Sequence, residues 1–178
     1  MSILGSYVRL AVDELERARR DPAWVEACLG ARSEETHGAL GAGWTGGERW
    51  CSTGTAWDAL GFLTRRLGFP VDIAHGEEAL PWSGSEGAGA GAAAWSYGPP
   101  RCLTPGQVRT AAAAMAATGG ERLVGGVGPA DLARADVYPV HAWEGGASLE
   151  GVVARYEELL PFFRAAAADG DALLVWLS

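Results

Sequence analysis

The sequence predicts an α+β fold: a mixed sheet packed against helices in one domain, with a strand near its C-terminal end buried in the sheet. Three observations carry that expectation. Leu149, Val152, Val153, Tyr156, Leu160, Phe163 and Ala167 recur at the spacing that lines one face of a long helix. Ala172-Leu-Leu-Val-Trp176 is an apolar run without alternation, as in a strand covered on both faces. Strand and helix signals otherwise follow one another without the regular βαβ order of a doubly wound sheet.

The elements can be justified in chain order. Leu4 to Leu10 reads as a first strand and Val12 to Arg20 as a short helix. Asp21-Pro22 is a cap and first-turn pair that opens a helix through Leu29. Gly38 to Gly47 reads as a glycine-rich loop around Trp44. Thr53 or Thr55 can cap a helix whose stripe is Ala56, Leu60, Leu63 and Leu67, ended by Gly68. Pro70 to Ile73 reads as extended, and the Gly/Ala-rich stretch 83–93 as a flexible loop. Thr104-Pro105 opens a helix over Ala111 to Ala117 that Gly119-Gly120 stops. A short helix over Pro129 to Arg134 leads into Asp136-Val-Tyr-Pro139 as an extended link. Ser148 is the expected cap of the long helix, with Glu150 near its positive end and Gly170 as a left-handed stop. Pro161 should bend that helix, because it removes one backbone donor and crowds the carbonyl of Glu157. The apolar stripe continues in phase beyond it, which favours one bent helix.

Composition bounds the function classes. A length of 178 residues suits a single domain spanning 1–178, and 48% hydrophobic residues with a net charge of −8 suit a soluble globular protein. All 14 basic residues are arginine, so mechanisms built on a Schiff-base, phosphate-loop or general-base lysine are excluded. An acidic chain with dispersed arginines lacks the footprint of a nucleic-acid or anionic-membrane binder. No run is apolar enough to span a bilayer, and the N-terminus does not read as a secretory signal. Cys28, Cys51 and Cys102 form neither a disulfide framework nor a zinc pattern and read as reduced thiols in a cytoplasmic protein.

Three stretches carry a family resemblance: Gly54-Thr-Ala-Trp-Asp-Ala-Leu-Gly-Phe-Leu-Thr64, Tyr97-Gly-Pro-Pro-Arg-Cys-Leu-Thr-Pro105, and the ending Ala-Asp-Gly-Asp-Ala-Leu-Leu-Val-Trp-Leu-Ser178. With Ile3-Leu-Gly-Ser-Tyr-Val-Arg9 at the start and Asp136-Val-Tyr-Pro139 between the last two, the chain resembles the YfbM-like family of uncharacterised bacterial proteins. The resemblance covers nearly the whole chain and implies one α+β domain; it implies no activity. It also marks a departure. Members of that family often carry a lysine before the tryptophan and histidines after it, where this chain has Thr55, Asp58 and Gly61. No role resting on those histidines transfers.

The residues offer little catalytic chemistry. His37, His75 and His141 are far apart without helical ligand spacing, so they read as structural or surface residues, and no metal or cofactor is expected. Cys51, beside Trp50, could serve as a nucleophile at a helix N-terminus but reads more simply as a small buried hydrophobe. The glycine segments lack phosphate-loop spacing, and no serine sits in a nucleophile elbow. The acidic pairs Glu34-Glu35, Glu77-Glu78 and Glu157-Glu158 diverge as helix neighbours do and read as solvated. Tryptophan is in excess, and Trp44, Trp82, Trp95 and Trp143 fall in glycine- or proline-rich segments, either pinning loops to the body or lining a recognition surface.

Trp57, Asp58, Tyr97, Arg101 and Tyr138 lie within the resembling blocks and form the candidate binding set. Arg101 follows two prolines, so its guanidinium can be aimed at a carboxylate or phosphate; the competing reading is an internal salt bridge with Asp58 or Asp136. Two functions follow. The favoured one is a non-enzymatic module that binds a protein partner or a small anionic ligand. The alternative is a small hydrolase or transferase that uses a carboxylate such as Asp58 with Arg101 as anion clamp.

Overall fold

The computed structural model describes residues 2–37, 49–81 and 97–178. In the first part β1 (Gly5–Leu10) is followed by α1 (Val12–Ala18) and α2 (Pro22–His37). Next come β2 (Trp50–Gly54), α3 (Trp57–Arg66) and β3 (Glu78–Ala79). The last part holds β4 (Arg101–Leu103), α4 (Pro105–Ala117), α5 (Gly120–Val124), α6 (Pro129–Arg134), α7 (Val140–Glu144), α8 (Glu150–Asp169) and β5 (Ala172–Leu177). The expected Gly38–Gly47 and 83–93 loops lie outside the described residues. No described helix is long and apolar enough to cross a membrane.

The strands form one five-stranded sheet in the order β2-β1-β5-β4-β3, with every pairing antiparallel. This is α+β with the late strand β5 inside the sheet, between β1 and β4, but the sheet is antiparallel throughout rather than mixed as expected. Side chains alternate across the sheet, so Tyr7, Leu103, Leu173 and Val175 join the core beneath α3–α8, and Val8, Cys102, Ala172, Leu174 and Trp176 join the core beneath α1 and α2. Helices cover both faces, and that is why β5 can be apolar throughout.

Local signals explain most elements. The Asp21 carboxylate accepts the Trp24 N–H at 3.0 Å, and the Thr104 hydroxyl accepts that of Gln107 at 3.3 Å while Gln107 reaches back to the Thr104 N–H at 2.8 Å. α8 runs unbroken through Pro161, which faces solvent, so water can take the Glu157 carbonyl that loses its helical donor. Leu149 rather than Ser148 holds the N-cap of α8, although the Ser148 hydroxyl accepts the Glu150 N–H at 3.1 Å, and Gly170 stops the helix at φ 73°. The buried face of α8 is Val152, Tyr156, Leu159, Phe162, Phe163 and Ala166, with Leu160 and Ala167 at its margin. The face is broad because α8 lies against both the sheet and α4.

Several expectations need correction. Thr53 and Thr55 do not cap α3; Ala56 holds that place, and Thr53 belongs to β2, its hydroxyl on the Gly5 carbonyl at 3.2 Å. Pro70 to Ile73 is bends and turn rather than strand, and 101–103, for which no strand was expected, forms β4. Gly119-Gly120 ends α4 but also opens α5. A Cβ on Gly120 would sit 2.5 Å from Val153 Cγ1, so this glycine lets α5 approach α8.

Candidate functional site

The candidate residues divide into two groups that meet at His75. The first is built where α3 begins. A Cβ on Gly5 would lie 2.6 Å from both Trp57 Cβ and Thr53 Oγ1, so glycine there admits the close approach of α3 to β1. Trp57 is buried, and its indole N–H donates to the Ile3 carbonyl at 3.2 Å. Tyr138 stacks on Trp57 with centroids 5.9 Å apart at 26°, and its hydroxyl accepts the Ile3 N–H at 2.9 Å. The Asp58 carboxylate accepts the Tyr138 backbone N–H at 2.8 Å. Trp57, Asp58 and Tyr138 therefore clasp the 136–139 link to the start of the chain, with all three polar groups engaged.

The second group surrounds a recess of about 140 Å³ lined by Ala74, His75, Tyr97, Gly98, Pro99 and Arg101, with Val175, Trp176 and Leu177 from β5. Arg101 opposes Val175 in the sheet. Its Nε donates to the Gly76 carbonyl at 3.1 Å and its Nη2 to the Glu77 carbonyl at 2.6 Å. Gly76 has φ 79°, and a Cβ there would lie 3.1 Å from Arg101 Cβ, so the turn and the arginine fit only with glycine. The guanidinium is thus aimed by two backbone acceptors. Among the described residues no carboxylate lies within 4 Å of it, so the expected salt bridge to Asp58 or Asp136 does not form. Tyr97 stands at the mouth, 41% exposed.

His75 joins the two groups. Its ring meets Trp57 edge-on at 5.4 Å and lines the recess. Asp72 orients it: the carboxylate accepts the Ala74 and His75 backbone N–H groups, each at 3.0 Å, and lies 3.1 and 3.2 Å from His75 Nδ1. Burial pushes the Asp72 carboxyl upward, but the hydrogen bonds from the His75 ring and backbone and from Ala74 outweigh it and hold the group below the usual carboxylate range. A Cβ on Gly61 would come within 2.9 Å of His75 Cε1, so the bare face of α3 makes room for the imidazole.

Residues 1–176 match the family described as "Domain of unknown function (DUF1877)". The chain belongs to that family. A search of curated proteins finds no match. Among solved structures, the DUF1877 chain is similar to YfbM from Escherichia coli, a protein of unknown function, at 14% identity and a TM-score of 0.56, covering 98% of this chain and 99% of that one. At that identity the likeness speaks to the fold alone.

Reading the sequence missed Asp72 and took His75 as a structural or surface residue. The signal was present in the spacing, Asp72 three residues before His75 with Gly76 following, which suits a carboxylate turning back on its own loop. Glu77 and Glu78 read as solvated; they are exposed but engaged, Glu77 with the Asp72 N–H at 2.7 Å and Glu78 with Arg19 at 2.6 Å. Cys51 lies buried within β2 opposite Tyr7, in a strand rather than in the first turn of a helix. Burial also pushes the Cys102 thiol up to about 11, which disfavours a thiolate there. Trp143 lies in α7 as a core residue, whereas Trp44, Trp82 and Trp95 fall outside the described residues.

Proposed function

We propose that this DUF1877 protein is a non-enzymatic binding module whose site is the Arg101 recess, taking a small anionic ligand or the acidic group of a protein partner. One observation carries the reading: a guanidinium held by two backbone carbonyls, without a carboxylate partner among the described residues, in a recess with Tyr97 at its mouth. Trp57, Asp58 and Tyr138 support the site from behind by fixing the wall on which His75 rests. A cytoplasmic setting is part of the same reading, supported by three free cysteines.

The test is an NMR titration of the protein with acetate and with inorganic phosphate. Shifts should concentrate on Arg101, Gly76 and Tyr97 and disappear in Arg101→Gln. Equal shifts in the variant would reject the reading. The alternative, a small hydrolase or transferase with Arg101 as anion clamp, draws support from the Asp72–His75 pair, which has the geometry of an oriented general base. Asp58 is less suited to that work, since its carboxylate holds the Tyr138 N–H. Turnover of p-nitrophenyl acetate that is lost in His75→Gln would favour the enzyme.

A further inference from the structure

We infer that the recess takes a small carboxylic acid with an apolar body, its carboxylate bridging the Arg101 guanidinium and Nε2 of His75, and that binding draws a proton onto the imidazole. The inference rests on the binding-module reading above.

The geometry of His75 is the starting point. Asp72 occupies the Nδ1 side of the ring, so Nδ1 carries a hydrogen whether the imidazole is neutral or charged. Nε2 lies on the other side of the ring and makes no hydrogen bond among the described residues. In the neutral ring it is an acceptor, which repels an anion; protonated, it becomes a second charged donor beside Arg101. Arg101 alone supplies a point of attachment, and the two together supply a bridge.

The remaining walls choose the rest of the ligand. Ala74, Pro99, Val175, Trp176 and Leu177 offer mostly apolar surface, which a bare phosphate would leave uncovered. A volume of about 140 Å³ compares with the roughly 150 Å³ apolar cavity that accepts benzene. A carboxylate on a ring-sized apolar body fits that space, and a nucleotide does not.

The charges around His75 set the sign of the pH dependence. From its own loop come Asp72 and Glu77, which favour the imidazolium. From α3 comes Arg65, whose Nη1 lies 4.0 Å from Asp72 Oδ2, and from β4 comes Arg101; both oppose it. Trp57 faces it from α3, Tyr97 stands at the mouth, and β5 contributes only apolar side chains. An incoming carboxylate adds a negative charge to this set and favours the protonated ring. Because the bridge needs a proton on Nε2, affinity rises as pH falls from 8 to 6, and it declines only near pH ~4, where the ligand's own carboxyl protonates.

Calorimetry of benzoate binding to the full chain tests this, with inorganic phosphate and benzyl alcohol as probes lacking the apolar body and the charge. Benzoate is expected to bind about tenfold more tightly at pH 6 than at pH 8, with heats that vary with the buffer's ionisation enthalpy as proton uptake requires. His75→Gln should bind weakly at both pH values and show no uptake. Should that variant fail to fold, the proton count on the unmodified protein decides alone. Binding lost in Arg101→Gln but independent of pH in the unmodified protein, without proton uptake, would overturn the bridge and leave the binding module standing. Phosphate binding as tightly as benzoate would overturn the apolar body. Unchanged benzoate affinity in Arg101→Gln would bring down the recess itself, and with it both readings.

Discussion

Arg101 has two roles that one substitution disturbs together. Its guanidinium closes the Gly76–Glu77 turn and also faces the recess, so Arg101→Ala should lower stability by about 1–3 kcal/mol, as expected when charge-assisted hydrogen bonds are lost. A chemical-denaturation curve measures that anchoring, whereas only ligand titration reports the site. A stability change near zero would mean that the carbonyls are satisfied equally well by water. Asp72 offers a test by pH. Its carboxyl is held below the ordinary range in the folded protein, so it contributes stability above its unfolded pKa of ~3.9 and loses it as pH falls through the lower folded value. The stability gap between the unmodified protein and Asp72→Asn should be full near neutrality and narrow below pH ~4. A gap that widened on acidification would show that Asp72 is not stabilising as the anion.

At the level of elements, what the sequence revealed depended on whether the signal was local. Pro129 to Arg134 and the Thr104-Pro105 start of α4 were legible because caps and first-turn prolines act within a few residues. β5 was legible because burial on both faces leaves a continuous apolar run. β2 was not: Trp50-Cys-Ser-Thr-Gly54 buries only Cys51 and Thr53, and it becomes a strand through its pairing with β1. Arg101 to Leu103 was hidden for the same reason, its place being set by β5. The candidate residues were found by their blocks, but their division into a structural clasp and a recess depends on where α3 meets the 70–77 loop. β5 supplies the sharpest test at this level. Deleting residues 173–178 should abolish soluble, cooperatively melting protein, because it strips the strand that joins β1 to β4 and its side chains from both cores. A soluble truncation with a cooperative melt would contradict the architecture.

Across the whole molecule, the two cores are not independent. β1 and β5 each place alternate side chains in both, and Arg9 of β1 pairs with Asp169, the last residue of α8, and with Asp171 just after it. Unfolding either side exposes the back of the same strands. Tryptophan fluorescence and far-ultraviolet circular dichroism should therefore report one coincident urea transition. Two separated midpoints would show that the α1–α2 layer detaches on its own.

The same seam has a consequence for how the protein is born. β1 leaves the ribosome well before the strand it pairs with along its full length. Arg9 must wait for Asp171, 162 residues later. Until then β1 has an unsatisfied backbone edge, with Val8 and Leu10 bare on one face and Tyr7 on the other, the features through which nascent chains stick to one another. The sheet can close only once β5 has emerged, so a chain stalled before β5 is a client for chaperones or proteases.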